Sequence, residues 1–228
     1  MRSLSKVLLA IDTSTRAVGL ALYDGASVLN ETVWTSNDYH TVELAPAIES
    51  AMQKSSISAE QLGALAVAIG PGSFTGLRIG LALAKGLAMV RQLPIIGIPT
   101  LDALAVAQPL MDIPMAAVLR AGRGRLAVSW YRTNDSQWQS IDKMEIRTPT
   151  ELAESISEKT YICGELTEKE QELFQDKSPE AILATAAHSV RRPAFLAELA
   201  WGRWQSGETD DPASLSPKYL HYNDPIPG

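Results

Sequence analysis

The sequence predicts an α/β protein of two related lobes, each built on a mixed β-sheet, with a reduced second lobe. In the first half, three short apolar segments typical of strands precede a helix, a fully apolar strand, a second helix and a further strand. An antiparallel meander that continues into parallel βα units gives a mixed sheet with covered faces. The second half repeats this order more weakly. We therefore expect lobes of residues 1–110 and 111–228.

The order of elements follows from hydrophobic spacing and turn residues. Leu44, Ile48 and Met52 recur every four residues and predict one helix face, and Asp24-Gly25 predicts a hairpin turn. The predicted strands of the first lobe span 6–12, 17–24, 27–34, 64–70 and 94–99, and its helices span 41–55, 74–91 and 100–108. The second lobe is predicted to have strands at 114–122, 125–133, 137–146 and 161–165, and helices from 149, at 167–176 and at 193–206.

Composition excludes several classes of function. The 228 residues are 46% hydrophobic and 20% charged, as in an ordinary globular protein, and the net charge of -6 argues against a chain that grips nucleic acid by itself. Cys163 is the single cysteine, so an intrachain disulfide is excluded. His40, His188 and His221 lack the helical spacing of a two-histidine metal site. No apolar run approaches the ~18 residues of a membrane span, and we expect a soluble cytoplasmic protein.

The segment GPGSFTGLRIG, residues 70–80, is the most distinctive motif. Ser73 or Thr75 can cap the following helix and leave free amide groups at its start, which is a possible anion site. The segment is not a Walker A loop, because it lacks the lysine of that motif. It is not a nucleophile elbow either, because Pro71 and Thr75 flank Ser73 where glycines are required.

A stripe of small residues follows from the same motif. Gly72, Gly76, Gly80 and Ala84 recur every four residues and would let another helix come close to this one. The alternative is that the glycines only let the helix pack on its own sheet. The spacing leaves both interpretations open.

Polar residues follow the first strand. Asp12, Thr13 and Ser14 could hold a phosphate or a hydrated Mg²⁺ in the turn. The alternative is a polar β-turn in which Asp12 bonds its own backbone. The arginine-rich segment 120–125 is likewise either a solvated hairpin tip or a tip that contacts phosphate or RNA.

In this order the motifs resemble the TsaB (YeaZ-type) family, paralogues of the TsaD/Kae1 threonylcarbamoyl transferase. The resemblance rests on IDTS at Asp12, on GPGSFTGLRIG with the following AKGLA, on GIPTLDALA, and on SPKYL at Ser216. It implies the two-lobe actin-like ATPase fold, which is acetate-kinase-like and contains ribonuclease H-like sheets, with the second lobe reduced.

The resemblance also implies that catalysis has been lost. The transferase carries a His-x-x-x-His metal pair whose positions match Thr100 and Leu104 here, and neither side chain replaces imidazole as a ligand. We therefore expect no catalytic residue, no metal and no cofactor, with Asp12, Thr13 and Ser14 as a vestigial phosphate loop. The alternative is a metal-dependent glycoprotease-like or ATP-hydrolysing enzyme of the same superfamily.

Members of the family pair with a TsaD-type transferase and, together with the P-loop ATPase TsaE, support threonylcarbamoyladenosine formation in tRNA. The resemblance implies a heterodimer through the predicted helices 41–55 and 74–91, a homodimer when the chain is alone, indirect contact with tRNA and no membrane association. A regulator that acts only as a homodimer is a further alternative. The expected partner-binding residues are Leu44, Ile48, Met52, Gly72, Ser73, Phe74, Gly76, Gly80 and Ala84.

Overall fold

Two mixed β-sheets form the cores of two lobes in this computed structural model, which describes residues 6–37 and 40–218. The strands are β1 Val7–Asp12, β2 Ala17–Tyr23, β3 Val28–Thr35, β4 Leu62–Ala68, β5 Ile95–Ile98, β6 Met115–Gly122, β7 Arg125–Asn134, β8 Gln137–Ser140, β9 Glu145–Arg147, β10 Thr160–Gly164 and β11 Ala181–Leu183. The helices are α1 His40–Lys54, α2 Phe74–Arg91, α3 Thr100–Ala105, α4 Pro149–Ser155, α5 Glu168–Lys177 and α6 Pro193–Gln205.

The first sheet has the strand order β3-β2-β1-β4-β5. The β1–β2 and β2–β3 pairs are antiparallel, whereas the β1–β4 and β4–β5 pairs are parallel, which confirms the predicted mixed sheet. The Asp24 carboxylate accepts hydrogen bonds from the backbone amides of Ala26 and Ser27, and so forms the predicted turn between β2 and β3. β1 lies at the centre and is buried along its whole length.

Helices cover both faces of the first sheet. α1 and α2 pack on one face with the larger side chains of the strands, and α6 packs on the other face through Leu196, Ala197 and Ala200. By the division at residue 110, α6 is the last helix of the second lobe, and it crosses over to pack on the sheet of the first lobe. The strands present Ala10, Ala66 and other alanines to it, and these short side chains let the helix come close to the sheet.

The second sheet has the order β11-β10-β6-β7-β8, and β9 also pairs with β7. The stretch 137–146, predicted as one strand, therefore forms two strands that both pair with β7. The short strand β11 was not predicted from the sequence. α4 and α5 cover one face through Leu152 and Phe174, and α3 covers the other through Leu101 and Leu104.

The two lobes share one order of elements, namely an antiparallel meander, a helix, a parallel strand, a helix, a parallel strand and a final helix. This is the two-lobe actin-like ATPase fold with mixed sheets and ribonuclease H-like lobes. Within the described parts of the chain, no helix is both long enough and apolar enough to cross a bilayer.

Candidate functional site

The glycines of α2 lie against the loop between β1 and β2. Ser73 caps the helix, because its hydroxyl oxygen accepts a hydrogen bond from the amide of Gly76 at 3.2 Å. A Cβ atom on Gly76 or Gly80 would approach the carbonyl oxygen or the hydroxyl of Thr13 more closely than the 3.0 Å below which real Cβ contacts essentially do not occur. Only glycine permits this close approach at the two positions.

This packing corrects the expectation that the small-residue stripe faces a partner. A Cβ on Gly72 would meet the carbonyl oxygen of Ser14, and Ala84 is fully buried in the core under α1 and α2. The stripe is therefore turned toward the chain's own loop and sheet. Of the two interpretations, packing within the chain fits the contacts, although the glycines meet the β1–β2 loop and not the sheet itself.

The helix face predicted on α1 packs on the core, and the same residues also line a groove at the surface. Leu44 and Ile48 belong to the core between the helices and the first sheet, and Met52 is partly buried against that core. Four-residue spacing detects the apolar face of a helix, and this face covers the sheet. Of the residues expected to bind a partner, Ser73 and Phe74 are exposed and Met52 is half-buried.

The outer side of the two helices carries an apolar groove, which we call the α1–α2 groove. Two adjoining cavities of about 330 and 270 Å³ form it. Its lining residues are Thr41, Leu44, Ala45, Ile48, Glu49, Met52, Gln53, Ile57, Ile79, Ala82, Leu83 and Leu87. On the same helices, Val42, Met89 and Val90 are exposed by 65%, 72% and 82%. Exposed apolar surface of this kind marks an interaction site more often than chance.

A second candidate feature lies between the lobes, where Asp12 binds Arg191. The Arg191 Nε atom donates to Asp12 Oδ2 at 2.9 Å, and both side chains are almost fully buried. Asp12 Oδ1 accepts a hydrogen bond of 2.8 Å from the backbone amide of Ser14. This bond confirms the alternative of a polar turn in which the Asp12 side chain bonds its own backbone. Both carboxylate oxygens of Asp12 are thus occupied by the chain itself.

The rest of the guanidinium binds residues from both lobes. Its other nitrogens donate to Glu165, which follows β10, to the Thr15 hydroxyl at 2.7 Å and to the Ala17 carbonyl oxygen at 2.9 Å. Thr15 in turn donates to Glu165 at 2.7 Å. Burial opposes the charged form of Arg191, but the two carboxylates outweigh it and raise the pKa of the guanidinium.

The hydroxyl groups that follow Asp12 are hydrogen-bonded within the chain. Thr13 donates to the Gly76 carbonyl oxygen, and the Ser14 hydroxyl shares a 2.8 Å hydrogen bond with that of Thr100. Thr100 and Leu104, the positions at which the resemblance implies the transferase's histidine pair, are fully buried. Among residues 6–37 and 40–218 there is no group of three or more side chains suited to holding a metal ion.

Beyond Arg191 an open cleft of about 1030 Å³ separates the lobes. Ser73, Phe74 and Arg16 line it from the first lobe, and Arg120 and Leu166 line it from the second. In the arginine-rich segment 120–125, Arg120 forms an ion pair with Glu170 at 2.9 Å. The segment's other interpretation, a contact with phosphate or RNA, stays a prediction.

Sequence reasoning missed Arg191 and Glu165. Arg191 is separated from Asp12 by 179 positions, so no local spacing connects them. The available signal was the pair of arginines, Arg191 and Arg192, directly before Pro193 at the start of a helix, because negative side chains are the ones favoured at that end of a helix.

His40 and Cys163 were not expected to form a site. Cys163 is buried, whereas the side chain of His40, like all of His221, lies outside the described residues.

Comparison with known proteins gives consistent results. Residues 28–220 match the sequence model of the family described as TsaD: tRNA N6-adenosine threonylcarbamoyltransferase. The tRNA threonylcarbamoyladenosine biosynthesis protein TsaB of Bacillus subtilis is 29% identical over 217 residues, which are 93% of each chain. TsaB of Haemophilus influenzae is 32% identical over 176 residues, covering 76% of this chain and 69% of that protein. The structure of YeaZ from Pseudomonas aeruginosa has a TM-score of 0.77 and 22% identity, covering 94% of this chain and 100% of that one.

Proposed function

Since this chain belongs to the TsaB (YeaZ-type) family, a branch of the TsaD threonylcarbamoyltransferase family, we propose that it is a non-catalytic subunit for threonylcarbamoyladenosine synthesis in tRNA. Its relatives are named as biosynthesis proteins of that modified nucleoside. The subunit works in the cytoplasm, where it pairs with a TsaD-type transferase and acts together with a TsaE-type P-loop ATPase.

One observation carries the non-catalytic assignment. The Arg191 guanidinium binds Asp12 at the end of β1, where an enzyme of this fold would need space for a phosphate or a metal. Thr100 and Leu104 supply no metal ligand in place of the histidine pair. This chain's own residues therefore satisfy one another at the position of the chemistry, and its contribution is to bind the enzyme.

The α1–α2 groove is the surface proposed for the transferase. Its lining is mostly apolar, and it adjoins the exposed side chains of Val42, Met89 and Val90. A standard interface buries roughly 800 Å² on each partner, and two long helices side by side can supply such an area. The proposed contact residues are therefore the outward side chains of α1 and α2, and the glycine stripe supports them from inside.

The test is co-purification with the transferase of the same organism. Ala82 is exposed and lines the groove, so Ala82→Arg would bury an unpaired charge at the interface. The expected result is at least about a tenfold loss of affinity. Ala187→Arg, at an exposed alanine of the second lobe, is the matched control and should bind like the wild type. If Ala82→Arg bound the transferase as tightly as the wild type does, the α1–α2 groove would not be the binding surface.

Calorimetric titration of the isolated chain with Mg-ATP tests the enzymatic alternative. Because Arg191 already engages Asp12 and Glu165, no heat of binding is expected in the micromolar range. Micromolar binding, or turnover of ATP by the chain alone, would reject the non-catalytic assignment.

A further inference from the structure

Arg191 stands between the two lobes and binds both of them. It lies in the segment that leads from β11 of the second lobe to α6, which packs on the first sheet. Asp12 ends the central strand of the first lobe, and Glu165 directly follows β10 of the second. The guanidinium is hydrogen-bonded to both carboxylates, so it connects the carboxyl ends of two strands that belong to different sheets.

The Arg191 side chain is buried, and the chain itself accepts hydrogen bonds from most of its N–H groups. The side chain is only 3% exposed, and three of its nitrogens donate four hydrogen bonds to Asp12, Glu165, Thr15 and Ala17. A buried ion pair offsets its desolvation only if the geometry is good and further hydrogen bonds satisfy the ions. A rotation of one lobe against the other would break either the bond to Glu165 or the bonds to Asp12, Thr15 and Ala17, because these acceptors lie on opposite sides of the cleft.

We propose that Arg191 is a built-in ligand of the interlobe cleft, a guanidinium that fixes the angle between the lobes from within the chain. The inference does not rest on the proposed function. In a two-lobed protein, an exchangeable ligand bound between the lobes selects the closed arrangement. Here the ligand is covalently part of the chain, so the lobes hold one arrangement at all times.

Arg192 provides a matched control within the same segment. Its guanidinium binds Glu31 of β3, and its side chain is 52% exposed. That ion pair lies at the surface of the first lobe and does not cross the cleft. Exposed ion pairs contribute little to stability, and we expect Arg192→Ala to change neither the lobe angle nor the cooperativity of unfolding.

The test measures the distance between the lobes by pulsed spin-label spectroscopy. Labels are attached through Ala26→Cys, in the exposed β2–β3 turn, and Lys169→Cys, on the exposed side of α5, while the native Cys163 is buried. In the labelled protein with no other substitution, we expect a narrow distribution of the distance between the two labels, and Mg-ATP should not change it. The distribution should be equally narrow in the Arg192→Ala variant. It should broaden in Arg191→Ala. A folded Arg191→Ala protein with the narrow distribution would overturn the proposal.

Two further measurements keep the test decisive. Arg191→Ala leaves the buried Asp12 carboxylate without its partner and should lower the melting temperature by about 6 to 20 °C. The double variant Arg191→Met with Asp12→Asn removes both charges, and it is therefore measured as well. We expect this variant to unfold cooperatively and still to show the broad distribution. Millimolar guanidinium should narrow the distribution of Arg191→Ala and leave that of Arg192→Ala unchanged. If guanidinium has no effect on a broad Arg191→Ala distribution, the breadth reflects local unfolding and the proposal fails.

Discussion

The hydroxyl of Thr13 donates a hydrogen bond of 2.7 Å to the carbonyl oxygen of Gly76 and thereby joins the β1–β2 loop to the first turn of α2. The bond is possible because Gly76 and Gly80 leave the space that Thr13 fills. The most distinctive motif of the sequence is thus explained by contacts within the chain. Its effect on a partner is indirect, through the position it gives to α2.

The first prediction concerns Gly80. In Gly80→Ala the new methyl group would overlap the Thr13 hydroxyl, and we expect the free energy of unfolding to fall by about 1–3 kcal/mol. In Gly86→Ala, on the exposed side of the same helix, no atom beyond the adjoining helix backbone lies within 4 Å of the new methyl group. This control should be stabilised by up to about 1 kcal/mol, because alanine favours helix over glycine. Urea unfolding of both variants measures the difference.

The double variant Gly80→Ala with Thr13→Ala separates steric overlap from helix propensity. Removing the Thr13 hydroxyl relieves part of the overlap, so the two substitutions together should cost less than the sum of their separate effects. Strict additivity, or a Gly80→Ala protein as stable as Gly86→Ala, would contradict the packing described for Thr13.

The second prediction concerns the reactivity of Cys163. The thiol is fully buried in the second lobe, and burial raises its pKa to about 12. At pH 8 the native protein should therefore react with a thiol reagent far more slowly than the urea-unfolded chain, by at least about a hundredfold. Absorbance of the released thiolate follows the reaction. Rapid labelling of native protein would show that β10 opens readily or that the thiol is accessible.

The third prediction is a pH dependence of stability that arises from Asp102. Burial raises the pKa of this carboxyl above its ordinary value of 3.8, although the 2.7 Å hydrogen bond from the Tyr131 hydroxyl and the charge of Lys218 lower it. The folded state therefore binds the proton more tightly than the unfolded chain. The resulting stabilisation is fully present below pH 3.8 and is lost as the pH rises through the raised pKa.

Asp102→Asn should remove that dependence and keep an acceptor for Tyr131. The difference in unfolding free energy between wild type and this variant is expected to decrease as the pH rises above 3.8. Tyr131→Phe, which removes the bond that lowers the pKa, should extend the decrease to higher pH. Unfolding in urea across a pH series provides the measurement, and a pH-independent difference would rule out a raised pKa.

The fourth prediction is self-association through the outer side of α2. Met89 and Val90 are among the most exposed apolar side chains described. The double variant Met89→Lys with Val90→Lys should weaken the homodimer at least about tenfold, because each buried apolar side chain contributes about 1.5–3 kcal/mol. Leu110→Lys, at an exposed leucine beyond α3, is the control. Sedimentation velocity over a concentration series measures the dissociation constant of the homodimer. If Leu110→Lys weakened the homodimer as much as the double variant, the outer side of α2 would be excluded as the contact surface.

Most of the secondary structure could be predicted from sequence because its signals are local. The predicted bounds of α2 are the observed ones, since Ser73 caps the helix and Gln92 ends it in a left-handed conformation. The strand 137–146 was predicted wrongly, because spacing alone does not show the break after Ser140 that separates β8 from β9.

The direction of the helix faces and the interlobe ion pair depend on long-range packing. Both Leu77 and Gly76 of α2 are buried, Leu77 as part of the core and Gly76 against the β1–β2 loop. Residue spacing therefore does not show which of the two helix sides, the apolar one or the small-residue one, is free to face a partner. Asp12 could be recognised as an unusual residue at a strand end. Its partner Arg191 could not, because only the assembled fold brings residues so distant in sequence together.

The last helix of each lobe packs on the sheet of the other, since α3 covers the second sheet and α6 covers the first. During synthesis, the alanine-lined face of the first sheet therefore has no cover until residue 205 has left the ribosome. Domains usually fold in order from the amino terminus as they emerge. Here the first sheet must wait for α6, so a truncated or stalled product that lacks this helix would expose an aggregation-prone face instead of a finished lobe.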